Sequence, residues 1–150
     1  MMTLSAITAR TLILTMLSAS DLDIAARTVW GEARGETFEG QRAVAHVLIN
    51  RWRSNAGQFK KDDTLATACL RHQQFSIWTK DDLNFAKLHQ VGWDDAHLRL
   101  SMRAVLEAID EPDPLSGATH YHTVSISPYW AKGHEPIKRI GEHLFYVGVK

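Results

Sequence analysis

Two glutamates, Glu32 and Glu36, stand in a short segment that also contains Trp30, Gly31 and Gly35. Cleavage of a glycosidic bond needs a carboxylic acid that stays protonated near neutral pH and donates its proton to the leaving oxygen. A glutamate at the end of an apolar helix, beside a tryptophan, can be such an acid because desolvation raises the pKa of a carboxyl group. The glycines would also let a polymer approach the helix end closely. Spacing alone nevertheless favours a solvated charged turn, so Glu32 and Glu36 are at this point only candidates for catalysis.

A second group of candidates combines an amide, a hydroxyl and aromatic rings in residues 73–78. Gln74 and Ser76 could hydrogen-bond the hydroxyl groups of a sugar, and Phe75 could offer a flat apolar face to a pyranose ring. The plainer interpretation is an ordinary loop that its aromatic side chains anchor in the core. Taken alone, the stretch favours that interpretation.

A loop before a basic run carries Tyr129 and Trp130. Tyrosine and tryptophan on a loop often form one wall of a binding site. Tyr121, on a predicted strand just upstream, is a further candidate for the same groove. The alternative, in which the rings clamp the loop to the body of the protein, is equally compatible with the sequence.

His120 and His122 are two residues apart, so on a β-strand their side chains share one face. With His134 or His143 they could form a three-ligand zinc site with one open position, as a metal-dependent amidase would require. No helical His-Glu-x-x-His motif accompanies them, and their spacing is common by chance. We therefore favour histidines that line a polar groove, with His122 as a substrate-binding candidate, and we expect no metal and no other cofactor.

The 150-residue chain fits one compact domain with a core of its own. Lysine plus arginine and aspartate plus glutamate each number 17, so the net charge is zero and nucleic acid is not an expected partner. The single cysteine, Cys69, cannot form an intrachain disulfide and is expected in the core. Residues 1–20 are predicted to form a packed amphipathic helix, with a signal-like segment as the alternative, and their apolar run is too short for a membrane anchor. Residues 21–150 would then be the catalytic core.

Helical periodicity dominates the chain as far as its C-terminal third. A first helix, capped by Ser20 or Asp21, should end near Gly31 or Gly35, where glycine can supply a left-handed stop. The pattern predicts further helices from Thr37 and over about residues 94–109, and strands over residues 118–123 and 143–147. The fold class predicted from the sequence is therefore α+β, mostly helical, with a small antiparallel β-sheet near the C-terminus.

These segments, in their order along the chain, resemble the cell-wall hydrolase family that includes the spore cortex-lytic enzymes and related phage lysins. Five blocks between roughly residues 22 and 146 carry the resemblance, namely residues 26–36, 39–51, 74–76, 113–118 and 139–146. The resemblance implies a lysozyme-like fold and cleavage of peptidoglycan between N-acetylmuramic acid and N-acetylglucosamine. It also implies that Glu32, which matches the first glutamate of the family's Gly-Glu-Ala-Arg-Gly-Glu motif, is the essential acid.

The chain departs from the spore enzymes at residues 119–123, where those enzymes tend to carry a Tyr-Phe-Asn-Pro type segment. A stand-alone lysin of phage or prophage origin therefore fits better than a spore-specific role. Such a protein is expected to be a monomer that is made in the cytoplasm and acts on the glycan strands of the cell wall. It would reach them through a holin or a weak N-terminal signal.

A lone glutamate favours the route of a lytic transglycosylase, in which the 6-hydroxyl of muramic acid attacks C1 and Glu32 serves first as acid and then as base. Simple hydrolysis, with Glu36 or another acid positioning water, stays open. A zinc amidase built on His120 and His122 is the alternative within the enzymes. A wall-binding module that holds glycan without cutting it is the alternative outside them.

Overall fold

The computed structural model describes residues 16–54, 57–71 and 74–150. The α-helices within them are α1 Ala19–Ala33, α2 Phe38–Ser54, α3 Leu65–Leu70, α4 Phe85–Gln90 and α5 Ala96–Asp110. The strands are β1 His120–Thr123, β2 Lys138–Ile140 and β3 His143–Tyr146, and short 3-10 turns lie at Gly57–Phe59, Ser76–Trp78 and Tyr129–Ala131. The predicted α+β class, mostly helical with a small antiparallel sheet near the C-terminus, is confirmed. The expected N-terminal helix falls mainly on residues 1–15 and lies outside the described residues.

Helix α1 begins with a reciprocal capping box and carries Glu32 near its end. The Ser18 hydroxyl accepts a hydrogen bond from the Asp21 backbone N–H, and the Asp21 carboxylate accepts one from the Ser18 backbone N–H. The predicted cap at Ser20 or Asp21 is therefore wrong, because Asp21 is the third helical residue of this box. The other carboxylate oxygen of Asp21 accepts the backbone N–H of Ala66 at 2.9 Å, which ties the start of α1 to α3.

Gly31 lies inside α1 and not at its end, so the predicted glycine stop is wrong. A Cβ atom at Gly31 would overlap the side chain of Ile77, which packs directly against the helix. Gly35 follows the helix with a φ outside the left-handed region. Glycine at position 31 therefore serves the close packing of α1 against the 3-10 turn Ser76–Trp78, one residue before Glu32.

Helices α1, α2 and α5 pack around one apolar core. Its almost fully buried members include Cys69, as predicted, together with Val29, Val44, Leu48, Leu98 and Val105. A polar pair crosses this core, where the Ser101 hydroxyl donates to the Gln41 side-chain oxygen at 3.2 Å and so satisfies both groups. Over the described residues, no helix combines the length and the apolar character that a membrane crossing would need.

The sheet is antiparallel in the order β1–β3–β2. The sequence predicts β1 and β3 but not β2, whose residues belong to a stretch with basic character. Ile140 and Phe145 from the sheet form a second buried cluster with residues of α2 and of the segment before β1, namely Ala43, Val47, Leu115 and Ala118. Tyr121 of β1 packs against this cluster and against the main core, which places its ring between the sheet and the end of α1.

Candidate active site

A cleft of about 200 Å³ opens where the end of α1 faces the sheet. Glu32 from α1, Arg51 from α2 and Tyr121 from β1 meet in it, so three separate elements supply its central polar groups. Its other walls are formed by Gln74, Phe75, His122, Thr123, Ile126, Pro128, Trp130 and His143. In the part of the chain that the structure describes, Glu32 is the one carboxylic acid on these walls.

Glu32 is half-buried, and its carboxyl group lies beside the hydroxyl of Tyr121. The Tyr121 hydroxyl donates a hydrogen bond to Glu32 Oε2 at 2.8 Å. Burial raises the pKa of Glu32 above its ordinary value, and the negative charge of Asp82 acts in the same direction. The Tyr121 hydrogen bond and the positive charge of Arg51 act against this rise, because both favour the carboxylate. The site therefore favours the protonated acid while holding partners for the carboxylate that forms when the proton leaves.

Tyr121 is suited to keep its hydroxyl proton and so to remain a hydrogen-bond donor to Glu32. Burial raises its pKa well above the ordinary value, and the adjacent carboxyl group of Glu32 adds to the effect. Its ring lies 4.8 Å from that of His143 and 5.8 Å from that of Phe145, measured between ring centres. Packing thus fixes the direction in which its hydroxyl points, and that direction is toward Glu32.

Arg51 supplies a buried positive charge behind the cleft. Its side chain is 5% exposed, its Nε donates to the Thr119 carbonyl at 2.7 Å, and its guanidinium lies 4.7 Å from the centre of the Phe75 ring. Nη1 is buried and has no hydrogen-bond partner among the described residues. Burial lowers the pKa of Arg51, although the neighbouring acidic groups oppose this. A cation held in this way stabilises negative charge at Glu32 through space.

Glu36 is not on the walls of this cleft. Its Oε1 lies 4.0 Å from Nδ1 of His143, and its other carboxylate oxygen is close to the backbone of Gly141 in the turn between β2 and β3. His143 lies on the cleft wall and is 3% exposed. Glu36 is therefore separated from the cleft by His143, and of the two predicted acids only Glu32 faces it.

The predicted binding residues are divided between the cleft and its surroundings. Gln74, Phe75, His122 and Trp130 line the cleft as expected. Ser76 does not, and its hydroxyl instead donates to the Asp82 carboxylate at 3.1 Å. Tyr129 is 90% exposed and lies on a neighbouring cavity.

The two strand histidines do share one face, but their ring nitrogens already have partners. His122 Nε2 lies 2.7 Å from the Tyr146 hydroxyl and its Nδ1 lies 2.7 Å from the Thr123 carbonyl oxygen. His120 Nε2 pairs with the Gln58 amide at 3.1 Å, and burial, followed by the charge of Arg51, lowers its pKa to about 4. Over residues 16–54, 57–71 and 74–150, no three His, Cys, Asp or Glu side chains converge as metal ligands would. The geometry thus gives the zinc alternative no support.

Two polar groups at the site escaped the sequence analysis. Arg51 continues the apolar stripe of Val44, Val47 and Leu48 on α2, and a charged residue at such a position is the signal that could have revealed it. Asp82 stands in a polar loop with no periodic pattern, and its proximity to Glu32 arises from the fold alone.

Comparison with known proteins identifies the family. Residues 35–146 match the family described as Cell Wall Hydrolase. The spore cortex-lytic enzyme of Halalkalibacterium halodurans is 33% identical over 129 residues, which are 85% of this chain and 35% of that protein. The spore cortex-lytic enzyme of Bacillus subtilis is 33% identical over 130 residues, which are 85% of this chain and 38% of that protein. The chain thus spans well under half the length of these relatives.

Two solved catalytic domains share the fold. That of the Bacillus cereus SleB protein superposes with a TM-score of 0.67 at 27% identity and covers 86% of this chain and 91% of that chain. The catalytic domain of the germination-specific lytic transglycosylase SleB from Bacillus anthracis superposes with a TM-score of 0.68 at 27% identity. The match covers 87% of this chain and 96% of that chain. The resemblance predicted from the ordered sequence blocks is confirmed, and the chain belongs to the Cell Wall Hydrolase family.

Proposed function

We propose that this chain cleaves the glycan strands of bacterial peptidoglycan between N-acetylmuramic acid and N-acetylglucosamine, with Glu32 as its single acid and base. The observation that carries the proposal is the carboxyl group of Glu32. It faces the cleft with a raised pKa and accepts a hydrogen bond from Tyr121 at 2.8 Å. Membership of the Cell Wall Hydrolase family supports the substrate class.

In the first step, the protonated Glu32 gives its proton to the glycosidic oxygen. The bond between this oxygen and C1 of muramic acid breaks with both electrons going to the oxygen, and positive charge develops at C1. Glu32 is left as a carboxylate. The Tyr121 hydroxyl and the charge of Arg51 both stabilise that carboxylate, so their contribution increases as the proton leaves.

In the second step, the Glu32 carboxylate takes the proton from the 6-hydroxyl of the same muramic acid, and O6 forms a bond to C1. The product is a 1,6-anhydro ring, and Glu32 regains its proton for the next cycle. Only one carboxylic acid among the described residues lines the cleft, which favours this route over one that needs a second acid to position water. A structural neighbour that is a lytic transglycosylase supports the same choice.

The proposed binding residues are those already on the cleft walls, namely Gln74, Phe75, Tyr121, His122 and Trp130. The proposal takes one copy of the chain as the working unit. On this proposal the protein is made in the cytoplasm and acts on the wall after export. A holin or the signal-like N-terminal segment would provide the route, as in a lysin of phage or prophage origin.

Mass spectrometry of the products from purified peptidoglycan tests the proposed reaction. Muropeptides that end in 1,6-anhydromuramic acid are the expected products. Reducing-end muramic acid would overturn the ring-closing step and indicate hydrolysis. Cleavage of stem peptides with intact glycan, or no soluble product at all, would overturn the proposal as a whole.

A further inference from the structure

A second cavity, of about 600 Å³, adjoins the cleft on the side of the loop between β1 and β2. We call it the side cavity. Its walls are His122, Val124, Ile126, Ser127, Pro128, Tyr129, Ala131, Lys132, Leu144 and Tyr146. His122, Ile126 and Pro128 are shared with the cleft, so the two cavities adjoin each other at these residues.

The walls of the side cavity are chemically distinct from those of the cleft. Half of them are aliphatic, and Lys132 is the one permanently charged residue on them within the described part of the chain. Lys132 is exposed and forms no ion pair with another described residue. The nearby acid Glu135 acts on the Tyr146 hydroxyl through its charge but does not line the cavity. The cavity thus offers small apolar surfaces beside one available cation.

We infer that the side cavity binds the stem peptide of the muramic acid whose C1 reacts in the cleft. This inference rests on the proposed function. The stem peptide is attached through the lactyl group at C3 of that same sugar, so it must leave the cleft close to the reacting atoms. It combines alanine methyl groups with free carboxylates, which match aliphatic walls and a lysine. A further sugar would instead call for many hydroxyl partners, and among the described residues only Ser127 and the two tyrosines bring hydroxyl groups to these walls.

The test compares two substrates that differ only in the stem peptide. One is purified peptidoglycan glycan with its stems, and the other is the same glycan after an amidase has removed them. The measured quantity is the ratio of kcat/KM on the stem-bearing glycan to kcat/KM on the stem-free glycan. Lys132→Met should lower this ratio about two- to five-fold, as expected for loss of one exposed, partly screened charge contact. Lys138→Met is the matched control, because Lys138 is exposed on β2 and does not line the cavity.

Two further variants separate charge from simple disruption. Lys132→Arg keeps the cation and should restore most of the ratio. Val124→Asp places a negative charge on an exposed wall position and should lower the ratio as Lys132→Met does. An equal loss on both substrates would overturn the inference in favour of a sugar in the side cavity. An unchanged ratio for both Lys132→Met and Val124→Asp would overturn it as well.

A binding experiment decides the inference independently of catalysis. A soluble stem tripeptide that contains L-alanine and D-glutamate is titrated into the inactive Glu32→Gln variant, and NMR follows the resonances of Val124, Lys132 and Leu144. Saturable shifts that Lys132→Met weakens support binding of the stem peptide in the side cavity, and this result does not depend on glycan cleavage. Absence of shifts at these residues up to millimolar peptide would overturn it.

Discussion

The hydroxyl of Tyr121 is the most informative single group to remove. Tyr121→Phe keeps the ring contacts with His143 and Phe145 and deletes only the hydrogen bond to Glu32 Oε2. The ring is held by packing, so the variant should fold and retain the cleft. The change therefore isolates the contribution of one donor to the acid.

The size of the effect follows from the charge on Glu32 at each stage. A hydrogen bond to a neutral acceptor contributes about 0.5–1.5 kcal/mol, and one to a charged acceptor about 1.5–3 kcal/mol. The difference, about 1–2 kcal/mol, is gained when Glu32 becomes a carboxylate in the first step. Tyr121→Phe should therefore slow turnover about 5- to 30-fold. Because the lost bond favours the carboxylate, its removal also raises the pKa of Glu32 and moves the alkaline limb of the rate profile to higher pH.

The assay is the release of soluble glycan fragments, measured as kcat/KM from pH 5 to pH 9. Tyr129→Phe is the matched control for the pH profile. It deletes an exposed hydroxyl on the side cavity, so it can change kcat/KM, but it should leave the alkaline limb in place. An unchanged rate, or an alkaline limb that moves to lower pH in Tyr121→Phe, would refute the assigned role of this hydrogen bond.

Three further predictions concern the stability of the fold and the reactivity of its buried cysteine. The pKa of Glu32 is higher in the folded state than in the unfolded state, so the folded state loses stability as pH rises above the pKa that Glu32 has in the unfolded chain. Glu32→Gln should therefore raise Tm at pH 7 but not at pH 3, and thermal melts at both pH values check this. Gly31→Ala should destabilise the fold in urea unfolding, because overlap with Ile77 costs about 1–3 kcal/mol and the higher helix propensity of alanine returns only about 1 kcal/mol. Gly35→Ala is the control and should be neutral, because a Cβ atom there meets open space. Cys69 is fully buried, and burial raises its pKa to about 12, so a thiol reagent should modify it only at the rate of unfolding.

The elements with strong periodicity could be predicted from the sequence. The second and third predicted helices correspond to α2 and α5, and the alternation of residues 118–123 corresponds to β1. The strand β2 could not be predicted, because three residues that include a lysine and an arginine carry no alternating apolar signal. The Gly31 error has a similar origin, since glycine near a helix end can mark either a stop or a close contact. Only the position of Ile77 in the fold shows that Gly31 marks a close contact and not a helix stop.

Only part of the candidate site could be predicted from the sequence. Glu32 could be named from the ordered family blocks, whereas its spacing and local environment alone favoured a solvated turn. Its hydrogen bond from Tyr121 joins residues 89 positions apart, and no local pattern predicts such a contact. Glu36, close to Glu32 in sequence, is directed instead toward His143 and Gly141, because the chain turns after Ala33.

The comparison of Glu32→Gln with Glu36→Gln on purified peptidoglycan tests the central claim most directly. Both variants keep the shape of the side chain and remove a carboxyl group, but only the side chain of residue 32 faces the cleft. Loss of turbidity should slow at least about 100-fold for Glu32→Gln, as expected for removal of a general acid, and stay within a few-fold of wild type for Glu36→Gln. Clearance by Glu32→Gln at nearly the wild-type rate would contradict the assignment of Glu32 as the catalytic acid.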